Sequence, residues 1–322
     1  MVEDIKKLKK IELHLHLDGS VDIGTAVELS KLSFEEVKDK MIASDKCINL
    51  TEYLTKFDLP ISIMQSRDNL VRVAQDLVNY LERENVIYAE VRFAPIFHIK
   101  NGLSMEEVIE AVLEGLRSND NVKTNLILCM MRGMDIDNNL SVIEVASKYL
   151  GKGVCAIDLA GDECKYPVSD YKKLFKVAKD KRIPFTIHAG EAGGASEVRA
   201  AILMGASRIG HGVHSIEDNS VLDLIKDKNI LLEVCPTSNV QTDVCNLYSE
   251  HPIYDLYKYG VKLNINTDNK TVSNVSIGDE YIKLYENFDF DIDDFKLMNK
   301  DAIASSFLSF EEKQELLKEL DY

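Results

Sequence analysis

Glu12-Leu13-His14-Leu15-His16-Leu17-Asp18-Gly19-Ser20 is the stretch on which the reading of this chain turns. Along a β-strand, alternate side chains share a face. The alternation predicts Glu12, His14, His16 and Asp18 on one face and Leu13, Leu15 and Leu17 on the other. Two imidazoles at i and i+2 can reach a single metal ion, and neutral imidazole is the commonest metal ligand in proteins. The plainer alternative is two strand histidines bonded to nearby carbonyls. The rest of the chain weighs against it.

Outward from this segment, short β-rich apolar runs alternate with longer segments of helical period. Strands are predicted at Lys10–Leu17, Val86–Ala94, Thr124–Met131, Val154–Ala160, Ile183–Ala189, Arg208–Gly210, Ile230–Cys235 and Val261–Thr267. Amphipathic stretches such as Leu70–Glu82, Met105–Leu116, Leu140–Leu150, Tyr171–Asp180, Ser196–Gly205 and Asp218–Lys226 lie between them. Eight βα units in this length match an α/β fold of the (β/α)8 TIM barrel type. A doubly wound sheet would show a Gly-rich phosphate loop after its first strand, and none is present. Thr25–Tyr80 holds extra helical material after strand one. There Leu50, Tyr53, Leu54, Phe57 and Leu59 form an apolar group that reads as a helix packed on the barrel, a lid over its mouth, or both. Asp279–Tyr322 reads as charged outer helices without chemistry. No repeat or linker divides the chain, which is read as one domain over 1–322.

The composition is that of a soluble globular protein, with 45% hydrophobic residues, 29% charged residues and a net charge of −16. Such acidity excludes nucleic acid and anionic membrane surfaces as natural partners. It also disfavours a highly anionic substrate, because no Lys/Arg cluster promises a local basic pocket. The six cysteines, Cys47, Cys129, Cys155, Cys164, Cys235 and Cys245, form no CxxC pair and read as free thiols in a reducing compartment. With no signal-peptide pattern and no spanning apolar run, the expected location is cytoplasmic. The oligomeric state is not readable.

Polar residues crowd the carboxyl ends of the predicted strands, where barrel enzymes keep their active sites. Purely structural histidines would have no reason to choose those ends. His14, His16, His188 and Asp268 make a set of three imidazoles and a carboxylate that suits a divalent ion, most plausibly zinc. A water completing the coordination would lose part of its pKa to the metal. His211, between Gly210 and Gly212, could take the water's proton or hold the hydroxide. Glu191 points into the same pocket, and a desolvated carboxyl there could stay protonated as a general acid. His98 and His251 read as surface or structural, and His214 as packing near the site. Glu90 and Arg92 most simply form a buried ion pair with each other. Asp162 and Glu163 read as loop or cap residues.

The motifs HLHLDGS, DLAGDE, HAGE, GHG, CPTSN and NTDN, in this order from Lys10 to Asn269, resemble the adenosine deaminase family of the amidohydrolase superfamily. The resemblance implies zinc-dependent hydrolytic removal of the 6-amino group of adenosine or 2′-deoxyadenosine, giving inosine or deoxyinosine and ammonia in purine salvage. It implies one zinc per chain on His14, His16, His188 and Asp268. By the same resemblance, Glu191 would protonate purine N1, His211 would assist the attacking water, and Asp268 would hold that water and shuttle a proton to the leaving amine. The Gly161 amide would face N3. Asp18, with His16 beside it, would meet the ribose 5′-hydroxyl. Leu50, Tyr53, Leu54 and Phe57 would form the apolar lid, with Met131 near the base. The implied partner is a small-molecule purine nucleoside.

Many family members carry two successive aspartates where this chain has Asp268-Asn269, and proline where it has Lys270. The second aspartate is associated with N7, an acceptor that a carboxyl serves only when protonated. An Asn amide donates without that requirement. Among sister activities, adenine deaminases tend to carry Glu at the position of Asp18. AMP would bring its phosphate close to that Asp. A non-catalytic binding protein would not be expected to keep Glu191 and His211 beside a complete metal set. A two-metal hydrolase would need a bridging carboxylated Lys or carboxylate, for which there is no convincing candidate.

Overall fold

The computed structural model describes residues 2–47 and 50–320. Eight parallel strands alternate with helices: β1 Lys10–His16, β2 Val86–Phe93, β3 Lys123–Met131, β4 Val154–Ala160, β5 Thr186–Ala189, β6 Arg208–His211, β7 Leu231–Val234 and β8 Lys262–Ile265. They pair in sequence order as β1-β2-β3-β4 and β5-β6-β7-β8. An Ile157↔Phe185 bridge joins the sheets at one seam and a Leu15↔Asp268 bridge at the other. At the second seam His16 N donates to the Asp268 carbonyl and Asp268 N to the His14 carbonyl. The result is the TIM barrel that the alternating pattern predicts. Strands β1, β2 and β4 are buried along their whole length, as expected of strands covered on both faces.

Local chemistry agrees with the layout. The 17-residue helix Arg67–Arg83 begins at Ser66, whose side chain accepts from Asn69 N. Capping boxes open the helices Phe34–Met41, Met105–Leu116, Ile277–Asn287, Ile292–Ser305 and Phe310–Glu319.

The opening segment departs from strict alternation. The β1–β2 register shifts between Glu12 and Leu15, and the successive amides of Leu13 and His14 both donate to Asn266 Oδ1. This bulge keeps His14 and His16 on one face but removes Glu12, which bonds to Thr267 instead. Asp18 lies past the strand, in a 3-10 turn over Asp18–Ser20.

The insertion after β1 includes helices Leu50–Leu54 and Asp58–Ile63, which lie over the carboxyl end of the barrel. Thr51 Oγ1 ties it to Asp162 Oδ2 at 3.0 Å, and the Tyr53 hydroxyl lies 2.6 Å from Ser273 Oγ. It is therefore both packed and a lid. The C-terminal helices do more than form an outer layer. The Phe307 amide donates to Glu90 Oε1, and the Phe307 ring lies 4.0 Å from the Arg208 guanidinium, which closes the opposite end of the barrel.

Candidate active site

The carboxyl ends of the strands open into one cavity. Its barrel side is lined by His16, Asp18, Met131, Gly161, His188, Glu191, His211, Asp268 and Asn269, and its roof by Leu50, Tyr53, Leu54 and Phe57. His14 lies just beneath, fully buried. One ligand-type atom from each of His14, His16, His188 and Asp268 falls within 4.8 Å of the others. Asp268 Oδ1 is 3.3 Å from His14 Nε2 and 3.4 Å from His16 Nε2, and Nε2 of His16 and His188 are 3.3 Å apart.

Carboxylates stand behind two of these rings. His14 Nδ1 lies 2.9 Å from Glu233 Oε2, and His188 Nδ1 lies 2.8 Å from Asp158 Oδ2. At His14 the Glu233 hydrogen bond holds the ring proton on Nδ1 and leaves the Nε2 lone pair aimed into the site. At His188 burial pushes the imidazole pKa down, but the adjacent Asp158 charge outweighs that and raises it. Burial pushes the His14 imidazole down to about 4 and the His16 imidazole well down, which favours the neutral, ligating form. His14 Nε2 is buried without a hydrogen-bond partner. An orphaned lone pair facing a carboxylate oxygen needs a cation. The donor set therefore fits a divalent metal.

Beneath the site the barrel interior is ionic. Arg92 reaches Asp158 Oδ2 at 3.0 Å and Glu233 Oε2 at 2.8 Å, while Arg208 holds Glu233 and Glu90. Glu90 and Arg92 thus belong to different pairs, and their expected mutual ion pair is corrected. Neighbours on one strand face inward together, but each head group finds its counter-charge across the barrel. Within this network two guanidiniums meet the carboxylates of Glu90, Asp158 and Glu233.

Glu191 and His211 flank the metal set. His211 Nε2 is 3.5 Å from Glu191 Oε2, and Thr242 Oγ1 donates to Glu191 Oε1 at 3.1 Å. Burial raises the Glu191 carboxyl above the usual range, opposed by His211. His211 Nδ1 is 3.1 Å from Asn239 Nδ2, and a Cβ on Gly210 would lie 3.0 Å from the His14 ring. His211 and Asp268 both hold φ near +60°, a conformation that non-glycine residues keep only when their surroundings impose it.

The adenosine deaminase family model matches residues 9–322.

The chain belongs to the adenosine deaminase family.

An adenosine deaminase of Clostridium perfringens (strain SM101) is 42% identical over 325 residues, covering 97% of this chain and 98% of that protein. One from Clostridium botulinum (strain Kyoto) is 44% identical over 328 residues, covering 98% and 97%. The N6-methyl-AMP deaminase structure from Arabidopsis thaliana superposes with a TM-score of 0.89 at 27% identity, over 100% of this chain and 98% of that one. A zinc-bound amidohydrolase from Burkholderia ambifaria shares the fold, with a TM-score of 0.90 at 20% identity over 99% and 91%. The chain is a hydrolytic deaminase.

In this adenosine deaminase family member, Asn269 packs on Gly19, where a Cβ would come within 1.9 Å of Asn269 Oδ1. Asp18 is buried, with His98 Nε2 at 3.8 Å. Neither His98 nor His251 is at the surface: both are buried, bonded to the Met64 carbonyl and to Asn239 Oδ1 respectively. His214 pairs with Glu217 and does not line the cavity. Sequence reasoning assigned no role to Asp158 or Glu233 and read Glu163 as a loop or cap residue. A lone Glu inside Ile230-Leu231-Leu232-Glu233-Val234 was the available signal for Glu233, since a buried charge needs a partner. Glu163 is buried and accepts from four backbone amides.

Proposed function

We propose that the chain, working as one barrel domain over 1–322, deaminates adenosine and 2′-deoxyadenosine to inosine and deoxyinosine, releasing ammonia, with one zinc per chain. The observation that carries this reading is the buried Glu191–His211 pair set directly against Asp268 and the histidines of the metal set. In this proposal His14, His16, His188 and Asp268 hold the zinc. A zinc ion there would supply Lewis acidity that brings the pKa of a water towards neutrality.

The chain's own residues do the rest. Glu191, whose protonated form burial favours, gives its proton to purine N1 and makes C6 electrophilic. His211 steers the attacking oxygen and takes its first proton, which returns to Glu191, and Asp268 passes that oxygen's second proton to the leaving amine. The Gly161 amide meets N3, the Asn269 amide donates to N7, and Asp18 with His16 takes the 5′-hydroxyl. Met131 and the roof residues exclude water.

Four acidic residues, Asp18, Asp58, Glu191 and Asp268, line the cavity, and no Lys or Arg does so among the described residues. This supports a nucleoside over a 5′-phosphorylated substrate, because phosphate sites are built from Arg or Lys. The chain's acidity supports a small-molecule partner rather than nucleic acid or an anionic membrane. No described helix is long and apolar enough to cross a membrane. The described cysteines are all unpaired, which supports a cytoplasmic setting.

The test is to mix the purified protein with adenosine, deoxyadenosine, adenine and AMP, follow ultraviolet absorbance and ammonia, and count zinc. Turnover of the two nucleosides at one zinc per chain is expected. AMP or adenine as the best substrate, or full activity in metal-free protein, would overturn the reading.

A further inference from the structure

The loop that carries Glu191 is held by one buried carboxylate. Glu163 Oε1 accepts from Gly190 N at 2.7 Å. Its Oε2 accepts from Glu191 N at 3.1 Å and from Ala192 N and Gly193 N at 3.0 Å each. Four consecutive amides thus converge on one side chain. Gly190 makes this possible: its φ of +74° turns the chain so that successive N–H groups line one concavity. Gly193 makes room, because a Cβ there would lie 2.8 Å from Glu163 Oε1. Concavities of this kind commonly bind anions, and here the anion is the chain's own.

Glu163 is only 4% exposed, and the charge of Arg132 acts on it without a direct ion pair. Burying a carboxylate is costly unless hydrogen bonds replace the water it loses. Among the described residues, all of its side-chain hydrogen bonds come from the backbone of residues 190–193. That reciprocity fixes the loop: any movement of Glu191 along the cavity strips donors from a buried charge. The loop follows His188, in the metal set, and carries the Glu191 carboxyl beside His211.

We propose that Glu163 is a positioning residue for Glu191, clamping the 190–193 backbone so that the Glu191 carboxyl is held at the purine N1 position. The assignment rests on the proton-donating role of Glu191 proposed above. Glu163 touches neither substrate nor metal ligand; it acts through the loop. A carboxylic acid misplaced by about 1 Å can cost about 10²-fold in rate. Ground-state binding, carried by Asp18, Gly161, Asn269 and the roof, does not pass through this loop.

The experiment uses zinc-loaded enzyme with adenosine. Glu163→Gln keeps the size but cannot accept from all four amides, because its NH2 faces at least one of them. The expected result is kcat lower by at least ~10-fold, KM changed by less than about 3-fold, and zinc content unchanged. The same substitution is then made in a Glu191→Gln background. If Glu163 acts through Glu191, it should add little there, whereas a general loss of structure would multiply through. Gly193→Ala is the second variant, should Glu163→Gln fail to fold. Its Cβ displaces the carboxylate from the loop side, and the same kcat-selective loss is expected. Near-parental kcat, a loss mainly in KM, or a full additional loss in the Glu191→Gln background would overturn the proposal. Failure of Glu191→Gln itself to lower kcat would instead remove the donor role on which it rests.

Discussion

Asp158→Asn tests whether the carboxylates behind the histidines serve the metal or merely fill the barrel. Asp158 Oδ2 lies 2.8 Å from His188 Nδ1 and 3.0 Å from Arg92 Nη1, with Asp158 and Arg92 fully buried. Burial alone would push this carboxyl up, but the charges of His188 and Arg92 hold it well below the usual range, so it is ionised at neutral pH. Asn preserves the shape and one acceptor but removes the charge that makes His188 Nε2 a strong donor to a metal. Substitutions at this distance from a metal cost about 10- to 100-fold in affinity, or about 1.4–2.7 kcal/mol. The fold should suffer less than the 3–5 kcal/mol typical of a broken buried pair. Arg92 is not stranded, because Glu233 Oε2 remains at 2.8 Å and the Leu13 carbonyl still accepts from it. The assay is zinc competition against a chromophoric chelator, with urea unfolding of the metal-free protein alongside. Zinc affinity within about 3-fold of the parent would make Asp158 a core ion-pair residue and refute the reasoning.

Four further outcomes are expected. Glu191→Gln should lower kcat by at least ~10²-fold with zinc content intact, and a near-normal rate would remove it as the acid. Asp18→Ala should penalise adenosine more than 5′-deoxyadenosine, by roughly 10- to 150-fold for a lost hydrogen bond to a charged group; equal losses would assign Asp18 another task. If Asn269 donates to N7, 7-deazaadenosine should be a poor substrate, and Asn269→Ala should narrow the gap between the two nucleosides; an unchanged ratio of kcat/KM values would count against it. Burial pushes the Glu12 carboxyl up to about 7, opposed by the Thr267 donors. The unfolded chain releases that proton near its ordinary value, so stability is lost as pH rises from about 4.5 through 7, by about 3 kcal/mol in total. Glu12→Gln should therefore reduce the difference in unfolding free energy between about pH 5 and pH 8. An unchanged difference would show that Glu12 does not cause it.

Much of this arrangement was legible because two local rules coincide in it. Apolar β-rich runs mark buried strands, and polar residues at their carboxyl ends mark the mouth of a barrel. His14, His16, His188, Glu191, His211 and Asp268 all obey both rules, and the structure brings them together. Partnerships that depend on the closed ring were less legible. The bulge at Leu13–His14 is satisfied by Asn266, on the far side of the sequence, so the exit of Glu12 from the shared face could not be read locally. Arg92 meets Asp158 and Glu233 rather than Glu90 because strand stagger, not strand neighbourhood, sets who faces whom across the interior. Glu163 looked like a cap because its four donors belong to another strand's loop.

The left-handed backbone at His211 and Asp268 has a consequence for how this chain evolves. An L-residue held there costs roughly 1–2 kcal/mol, whereas glycine adopts the same torsions freely. Selection for folding alone, with zinc withheld, should therefore enrich glycine at these two positions while it purges substitutions almost everywhere else in the core. A survey of variant abundance in cells would then trace the active site as an inverted signal. The residues that carry the chemistry would stand out, with no substrate present, as those the fold is better off without.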